Sequence, residues 1–515
     1  MRKKLHTTLA VIHLGSEMIS MQIVEYRNLE KYKIIECCNR KIRLGEATFK
    51  NKIIPFTLVK EICTILQGFK QLMEEYGVEE YTLQATTAVR EASNQLFLLD
   101  QIYSKTGLKV QVVDLPEEIY IKYVAIRNTL REAKITSDRE GLLMMDISSG
   151  GLGITMVKDD LIKYQQNFHI GIIRLKESFV RNRRDNLHFT KALGEFLSST
   201  MGPVKDELPQ EKVKTLVLTG AETELILQML QLNPQEKLHR IKTEAFKEFF
   251  AGLKKLNLPQ LMQVYQLPES LAELVLPTIL LYEQLLALIP AEEIVITGDR
   301  FIDGLQLLHI GKSSPAMAKL WRQEFTSLFH TIGAHYHYDK KHAQQVERLS
   351  LAIFDKIAKD FGMGQEERLL LQAAALLHDI GKYLCMRSHS LYTYQLIMAT
   401  DILGFSDRSK TIVALAAYYH ANKLFDSAKK TAPPVERALV PLVAKLAAII
   451  RLADALDRSY LQKIKGCTVA LKGNSLKLQV ESKQDLTLEA WTFLDKAAFF
   501  EEVYGLQPVL ERVNK

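Results

Sequence analysis

The sequence predicts an α/β region containing two similar hairpins, followed by an all-α domain and a small α/β tail, and three observations carry that expectation. A strand, a turn of small residues and a second strand occur twice, at Leu9 to Val24 and at Leu142 to Val157. Helix-like and strand-like segments alternate around both hairpins. Beyond Ser313-Ser314-Pro315 the alternation gives way to almost continuous helical periodicity, as far as about Lys463. A chain of 515 residues exceeds what one hydrophobic core supports, and the expected divisions are 1–130, 131–312, 313–465 and 466–515.

In chain order, Leu9 to Val24 reads strand, turn at Gly15-Ser16, strand, with a third strand around Tyr32 to Glu36. Val59 to Tyr76 is amphipathic and helical, Tyr81 to Ala85 extended, Asn94 to Thr106 helical and Val110 to Val113 extended. Such alternation predicts an α/β domain with crossover helices. Leu142 to Met145 then leads into Asp146-Ile147-Ser148-Ser149-Gly150-Gly151, Ile154 to Val157, a turn at Asp159-Asp160 and another strand. Pattern alone leaves two readings open, an internal repeat or two unrelated hairpins. Helices near Arg174 to Arg181 and Thr190 to Ser199 precede the strand Thr215 to Leu218, ending in Thr219-Gly220, and the strand Glu293 to Thr297, ending in Gly298-Asp299. Strand ends carrying Gly, Ser or Asp are placed where α/β sheets bind ligands. The helical part breaks at Gly362-Met363-Gly364, His389, Phe405-Ser406 and Pro433-Pro434. Cys467 to Leu471, Leu476 to Glu481 and the amphipathic Leu488 to Tyr504 predict two strands and a helix.

With 47% hydrophobic and 25% charged residues this is the composition of a soluble globular protein. A net charge of +7 is small for the length: it does not announce a specific nucleic-acid binder, and it is compatible with a polyanionic substrate. Five scattered cysteines without a Cys-x-x-Cys pair argue against a disulfide framework and a zinc ribbon, and fit a reducing cytoplasm. Met1-Arg2-Lys3-Lys4 before Leu9 to Ile12 imitates a signal peptide, but His6, Thr7, Thr8 and His13 interrupt the apolar run and no small-residue cleavage site follows. The apolar stretch Leu276 to Pro290 carries Glu283 and is too short for a bilayer of about 30 Å, so no membrane partner is expected.

The run Leu376-Leu377-His378-Asp379-Ile380-Gly381-Lys382 sets a His-Asp pair at the end of an apolar helix, with His342 upstream and Arg451 to Asp457 downstream. Leaving that imidazole and carboxylate unpaired in a core costs on the order of several kcal/mol. A divalent cation satisfies both. His342, His378, Asp379 and Asp454 form a mixed nitrogen and oxygen set suited to a metal such as Mn2+, Fe2+ or Zn2+. Neighbours on one helix lie roughly 100° apart, close enough to reach one ion. His389 and His420 would hold a second ion, and two metals about 4 Å apart activate a bridging water and clamp a phosphoryl group. A lone histidine is more often a core or capping residue; the combination reverses that. The set resembles the signature of the HD phosphohydrolase superfamily, which implies these four residues as ligands and His389 and His420 as the optional histidines of its two-metal members.

Ala85-Thr86-Thr87-Ala88-Val89-Arg90-Glu91-Ala92-Ser93-Asn94 resembles the Ala-Thr-Ser-Ala-Val-Arg-Glu-Ala-x-Asn element of the exopolyphosphatase and guanosine pentaphosphatase (Ppx/GppA) family. Glu117-Glu118, Asp146 to Gly151, Gly171-Ile172-Ile173-Arg174-Leu175 and Gly298 to Leu305 follow in the family's order. The resemblance spans essentially the whole chain. It implies duplicated actin-like (ASKHA) ATPase-type domains closing over a phosphate chain, then an all-α HD-type domain and a small α/β tail. Gly15, Ser16, Ser148, Ser149, Gly150 and Gly151 would supply backbone amides to phosphate oxygens, and Arg90 would clamp them. Glu118 matches the family's catalytic base, and Asp146 matches an acidic residue that helps hold Mg2+. The implied protein is a cytoplasmic homodimer, a hydrolase of phosphoric anhydrides acting on polyphosphate or guanosine penta/tetraphosphate, the alarmones of the stringent response.

Three family elements are altered. The first loop, Asp-x-Gly-Ser-Asn-Ser in the family, reads His13-Leu14-Gly15-Ser16-Glu17-Met18. The second, Asp-x-Gly-Gly-Gly-Ser-Thr-Glu, reads Asp146-Ile147-Ser148-Ser149-Gly150-Gly151-Leu152-Gly153, and Ser-Gly-x-Glu-Glu-Ala reads Asp114-Leu115-Pro116-Glu117-Glu118-Ile119. Arg90 and Glu118 also have a plainer reading as a surface or interdomain ion pair. Three functions therefore compete: terminal-phosphate hydrolysis in the N-terminal half, metal-dependent hydrolysis in the helical domain with the N-terminal half as a polyphosphate- or alarmone-binding module, and a sensor without turnover.

Overall fold

The computed structural model describes residues 7–138, 140–147, 151–168, 170–172, 175, 189–208, 212–233, 236–288, 290–421 and 433–513. The chain forms two compact units, Met1–Trp321 and Arg322–Lys515, divided within the helix Pro315–His335.

The first unit holds two sheets. Strands β1 (Thr7–Leu14), β2 (Met18–Asn28), β3 (Lys31–Lys41), β4 (Glu80–Ala85) and β5 (Gln111–Val112) are ordered β3-β2-β1-β4-β5. Strands β6 (Gly141–Ile147), β7 (Leu152–Lys158), β8 (Leu161–Phe168), β9 (Val213–Gly220), β10 (Leu238–Lys242) and β11 (Glu293–Thr297) are ordered β10-β11-β9-β6-β7-β8. The wiring is the same in both. An antiparallel meander, β1-β2-β3 or β6-β7-β8, is followed by a crossover to a strand parallel to its first member, β4 beside β1 and β9 beside β6. The two hairpins are therefore a repeat, and β10 is an addition at the edge of the second sheet.

Central strands are buried on both faces, and their composition says so: Leu9, Ala10, Val11 and Ile12 of β1 are all fully enclosed. The helix Phe56–Glu75 lays Val59, Ile62, Leu66, Phe69 and Met73 on the first sheet at helical spacing. The helix Glu269–Leu288 is long and apolar enough to cross a membrane, but 61% of its apolar window is buried, with Val275, Ile279 and Leu285 packed into the core of the second sheet. The predicted helix from Arg174 to Arg181 lies, except for Leu175, outside the described residues.

The helix Leu115–Glu132 begins with a capping box of Asp114 and Glu117 and with Pro116 in its first turn. Against it packs the helix Phe301–Gly311. A Cβ at Gly304 would lie 1.8 Å from the carbonyl oxygen of Ile121, so this glycine is what allows the two helices to touch.

In the second unit the helices Lys340–Ile357, Gln365–Leu377, His389–Ala399, Asp407–Tyr419 and Val440–Ala455 precede a three-stranded sheet of β12 (Gly466–Lys472), β13 (Ser475–Glu481) and β14 (Gln507–Val513). The helix Thr487–Tyr504 carries the chain from β13 to β14, which run parallel. The third strand is absent from the sequence reading because Pro508 masks it; the sheet accepts the proline since β14 is an edge. Two further corrections concern the histidines. The helix before the His-Asp pair ends at Leu377, with His378 as its C-cap and Asp379 outside it. Ile380–Tyr383 then forms a tight turn in which a Cβ on Gly381 would come within 2.0 Å of the His389 carbonyl oxygen. His389 opens a helix rather than breaking one.

Candidate functional site

The parallel pairing of β1 with β4 brings the turn after Leu14 beside the turn after Ala85, and Thr86 N–H donates to Leu14 O at 3.3 Å. The single-turn helix Thr87–Arg90 that follows positions Arg90. Its Nη1 donates to Val113 O at 2.6 Å and to Glu118 Oε2 at 3.2 Å, while Nη2 reaches Thr87 Oγ1 at 2.9 Å. Thr87 Oγ1 donates in turn to Glu118 Oε2 at 3.0 Å. Arg90, Thr87 and Glu118 thus form a closed cluster in which the carboxylate is buried. This is not a surface ion pair.

One turn beyond Glu118 on the same helix, Lys122 Nζ lies 3.0 Å from Asp146 Oδ1 at the end of β6. Burial pushes the Asp146 carboxyl up, Lys122 pulls it back and the Glu118 charge adds to the rise. His13 sets Nε2 3.1 Å from Thr86 Oγ1 and its ring 4.4 Å from Phe301. Enclosure, with Lys122 and Arg300 nearby, lowers its pKa to about 3, so it stays neutral. Asp299, at the end of β11, accepts from Thr129 Oγ1 at 2.7 Å, and burial raises its carboxyl to about 6.

The expected amide cradle is only partly in view. Gly15 N–H closes the hairpin onto Met18 O at 3.0 Å and is thereby spent on the turn; Ser16 offers its carbonyl to Gly45 N–H at 2.8 Å. Gly15 is small for another reason, since a Cβ there would meet His13 Cε1 at 2.9 Å. Gly151 is buried just before β7, while Ser148, Ser149 and Gly150 lie outside the described residues. A Cβ on Gly153 would come within 2.7 Å of Ile119 Cγ2. The position where the resemblance puts the loop's closing glutamate has no room for a side chain.

In the second unit five helices and their C-terminal ends bring together His342, His378, Asp379, His389, His420 and Asp454, the helical-domain ligands that the sequence singles out. His342 Nε2 lies 3.2 Å from Asp454 Oδ1 and 3.7 Å from Asp379 Oδ2; His378 Nε2 lies 3.8 Å and 3.5 Å from the same two oxygens. The other Asp379 oxygen, Oδ1, is 3.5 Å from His389 Nε2 and 3.9 Å from His420 Nε2. Asp379 therefore stands between two donor groups, His342 and His378 on one side, His389 and His420 on the other.

Each ring is oriented from behind. His342 Nδ1 meets Asp457 Oδ2 at 2.9 Å, His378 Nδ1 meets Ala375 O at 2.8 Å, His389 Nδ1 meets Met386 O at 3.1 Å, and His420 Nδ1 meets Ala417 O. Carbonyls and carboxylates on Nδ1 leave Nε2 as the lone-pair nitrogen aimed at the cluster, the arrangement in which histidines bind metals. The Nε2 atoms of His342 and His378 are buried without a hydrogen-bond partner, an expense that a cation removes. The donor set fits a divalent metal.

Charges agree with the geometry. Burial opposes ionisation of Asp379, but His378, His420 and Lys382 hold its carboxyl far below the usual range, and His342 and His378 do the same for buried Asp454. Burial followed by His378 lowers His420 to about 4. Burial would lower His342 too, yet Asp454, Asp457 and Asp379 outweigh it and raise that imidazole to about 9. A proton on His342 thus balances the carboxylates wherever no cation does. Lys382 and Tyr460 both contact Asp379 Oδ2, the tyrosine hydroxyl at 2.7 Å, and the Tyr460 ring stacks on His342 at 3.7 Å. Asp457, Tyr460, Lys382, Thr87 and Lys122 are the residues that sequence reasoning missed; only Asp457, one helical turn after Asp454, carried a spacing signal.

A sequence model of the Ppx/GppA phosphatase family matches residues 23–304, more than half of the chain. The chain belongs to this family. The model of Ppx/GppA phosphatase domain III matches residues 327–496. Over 479 residues, 92% of this chain and 91% of the relative, it is 21% identical to a guanosine-5'-triphosphate,3'-diphosphate pyrophosphatase of Aliivibrio fischeri. It is 24% identical over 158 residues to a bifunctional 3-dehydroquinate synthase/phosphatase of Fusobacterium nucleatum, a match covering 30% of this chain and 22% of that protein. Among solved structures, the Ppx/GppA member of Aquifex aeolicus aligns with a TM-score of 0.51 at 21% identity, covering 60% of this chain and 99% of its own. An exopolyphosphatase of Cytophaga hutchinsonii aligns with a TM-score of 0.51 at 17% identity, covering 59% and 98%. These similarities establish the actin-like fold of the Ppx/GppA chain. Its paired sheets are that fold, and the Arg90 and Glu118 cluster lies at the strand ends where such sheets meet ligands.

Proposed function

We propose that this Ppx/GppA chain is a phosphohydrolase that releases the terminal phosphate of a phosphate chain, inorganic polyphosphate or pppGpp, in its N-terminal cleft. The observation that carries the reading is the buried cluster of Arg90, Thr87 and Glu118 at the ends of β1 and β4. The relative named as a guanosine-5'-triphosphate,3'-diphosphate pyrophosphatase, matched over nine-tenths of both lengths, supports the same class. Glu118, held by two donors, orients water toward the terminal phosphorus; Arg90 and Lys122 face the charge that spreads over its oxygens. Free thiols at all five cysteines fit action in a reducing compartment. The test is phosphate release from long-chain polyphosphate and pppGpp by the full chain. Glu118→Gln should lower kcat by about 100-fold or more; unaltered turnover sinks the reading.

A second reading is favoured by the convergence of His342, His378, Asp379, Asp454, His389 and His420. In it the helical domain is a metal-dependent, HD-type phosphohydrolase and the N-terminal half binds the phosphate chain. His342, His378, Asp379 and Asp454 would hold one ion, and Asp379, His389 and His420 a second. A bound divalent pair supplies Lewis acidity toward a phosphoryl group and an activated water. Lys382 and Tyr460 hold the Asp379 carboxylate in place. Asp379→Asn and Glu118→Gln compared on one panel of phosphate substrates separate the two readings, because each variant should abolish only its own reaction.

A further inference from the structure

We propose that the ammonium group of Lys122 takes the place of the family's divalent cation in the N-terminal cleft, so that this site engages a phosphate chain through built-in charge rather than through Mg2+. The proposal rests on reading the cleft as a phosphate site.

Mg2+ needs near-octahedral oxygen ligands at short distance and keeps several of its waters, so a site must offer carboxylates and room. Among the described residues the cleft keeps only Asp146 and Glu118 as carboxylates, and each already faces a cation of the chain itself. Of the acidic positions that the family resemblance supplies, the first-loop aspartate is His13, whose Nε2 is engaged with Thr86 and whose ring is backed by Phe301. The closing glutamate of the second loop is Gly153, and Ile119, where the family has alanine, fills the space its side chain would need. A cavity beside Asp146, lined by Ile119, Tyr123, Met144 and Gly153, measures about 10 Å3, at the lower limit for a single water. Asp146 keeps its place, and Lys122 Nζ lies 3.0 Å from it, both side chains largely enclosed.

The spacing of the lysine is specific. Lys122 follows Glu118 by one helical turn, so the two side chains leave the same face of the helix Leu115–Glu132, where an ion serving both carboxylates would act. A lysine is a point charge that binds phosphate oxygens without the coordination geometry a metal imposes. With two of the family's carboxylates replaced by His13 and Gly153, the single ammonium of Lys122 suffices to balance Asp146. Removing the lysine alone would strand Asp146 as a buried, unpaired carboxylate.

The test is Mn2+ binding, followed by electron paramagnetic resonance, on the full chain carrying Asp379→Asn to disable the helical cluster. Adding Asp146→Asn should release no ion. Lys122→Gln in the same background should tighten binding of one Mn2+ by at least tenfold, and Asp146→Asn should abolish that gain. An ion held by the parent and lost with Asp146→Asn overturns the proposal, as does unchanged affinity in Lys122→Gln. Should either variant fail to fold, hydrogen exchange of the unaltered chain decides: Mg2+ should leave the amides of residues 115–122 and 141–147 unchanged, and their protection by Mg2+ overturns the proposal. Binding is read here without turnover, so failure of the hydrolase reading in Glu118→Gln stays distinguishable.

Discussion

Asp457 Oδ2 lies 2.9 Å from His342 Nδ1, with both side chains 1% exposed. Because an ionised carboxylate only accepts, this contact places the ring proton on Nδ1 and leaves Nε2 free for the cluster formed with Asp379 and Asp454. Outer carboxylates of this kind raise ligand basicity and fix the ring. Asp457→Ala is therefore expected to weaken metal binding by about 10–100-fold with every proposed ligand in place, as measured by competition with a calibrated chelator. Affinity equal to that of the unaltered chain would show that Asp457 serves packing alone.

The same carboxylates predict a pH dependence in metal-free protein. His342 titrates at about 9 in the folded chain and near 6.5 unfolded, so its contribution is fully present below pH 6.5 and disappears as pH rises through 9. The loss amounts to about 3 kcal/mol at most. Asp379 and Asp454, whose folded values lie below their unfolded ones, contribute above the unfolded carboxylate range and lose that contribution in acid. In chelator, the amides of Lys340–Ile357 and Val440–Ala455 should exchange faster at pH 9 than at pH 6.5 after correction for intrinsic rates. Saturating Zn2+ or Mn2+ should flatten the difference, because the cation replaces the proton on His342. A chelated protein with no such pH trend would contradict the assignment.

Sequence made the helical cluster legible because its ligands are chemically rare choices for buried positions. His378 and Asp379 close one apolar helical run, Asp454 interrupts another, and His342 is buried in the polar first turn of a third helix; convergence on one site explains all four. The N-terminal cleft was less legible. The hairpin repeat could be read as a pattern, but deciding for it needed the parallel pairings of β4 with β1 and β9 with β6, which no local periodicity encodes. Lys122 is invisible in sequence, since a lysine within the amphipathic helix Leu115–Glu132 looks like one more solvated residue. Gly15 was legible as a turn but not in its role: its amide closes the hairpin, and what the position demands is space for His13.

Gly153 and Ile119 form a coupled pair. Restoring the family's glutamate through Gly153→Glu forces a side chain to within 2.7 Å of Ile119 Cγ2 and introduces a carboxylate beside Asp146 in an enclosed site. Overpacking of this kind costs about 1–3 kcal/mol, and like charges add to it. The family's alanine at the facing position identifies the compensation. Ile119→Ala should open the space and remove the steric part of the cost, while by itself it should be destabilising through the cavity it leaves. The double variant should therefore be more stable than the sum of its parts predicts, with a coupling of about 0.5–3 kcal/mol in a urea-denaturation cycle on the full chain. Strict additivity would mean that the neighbourhood of Gly153 yields without Ile119, and that the loss of the glutamate and the gain of the isoleucine are independent changes.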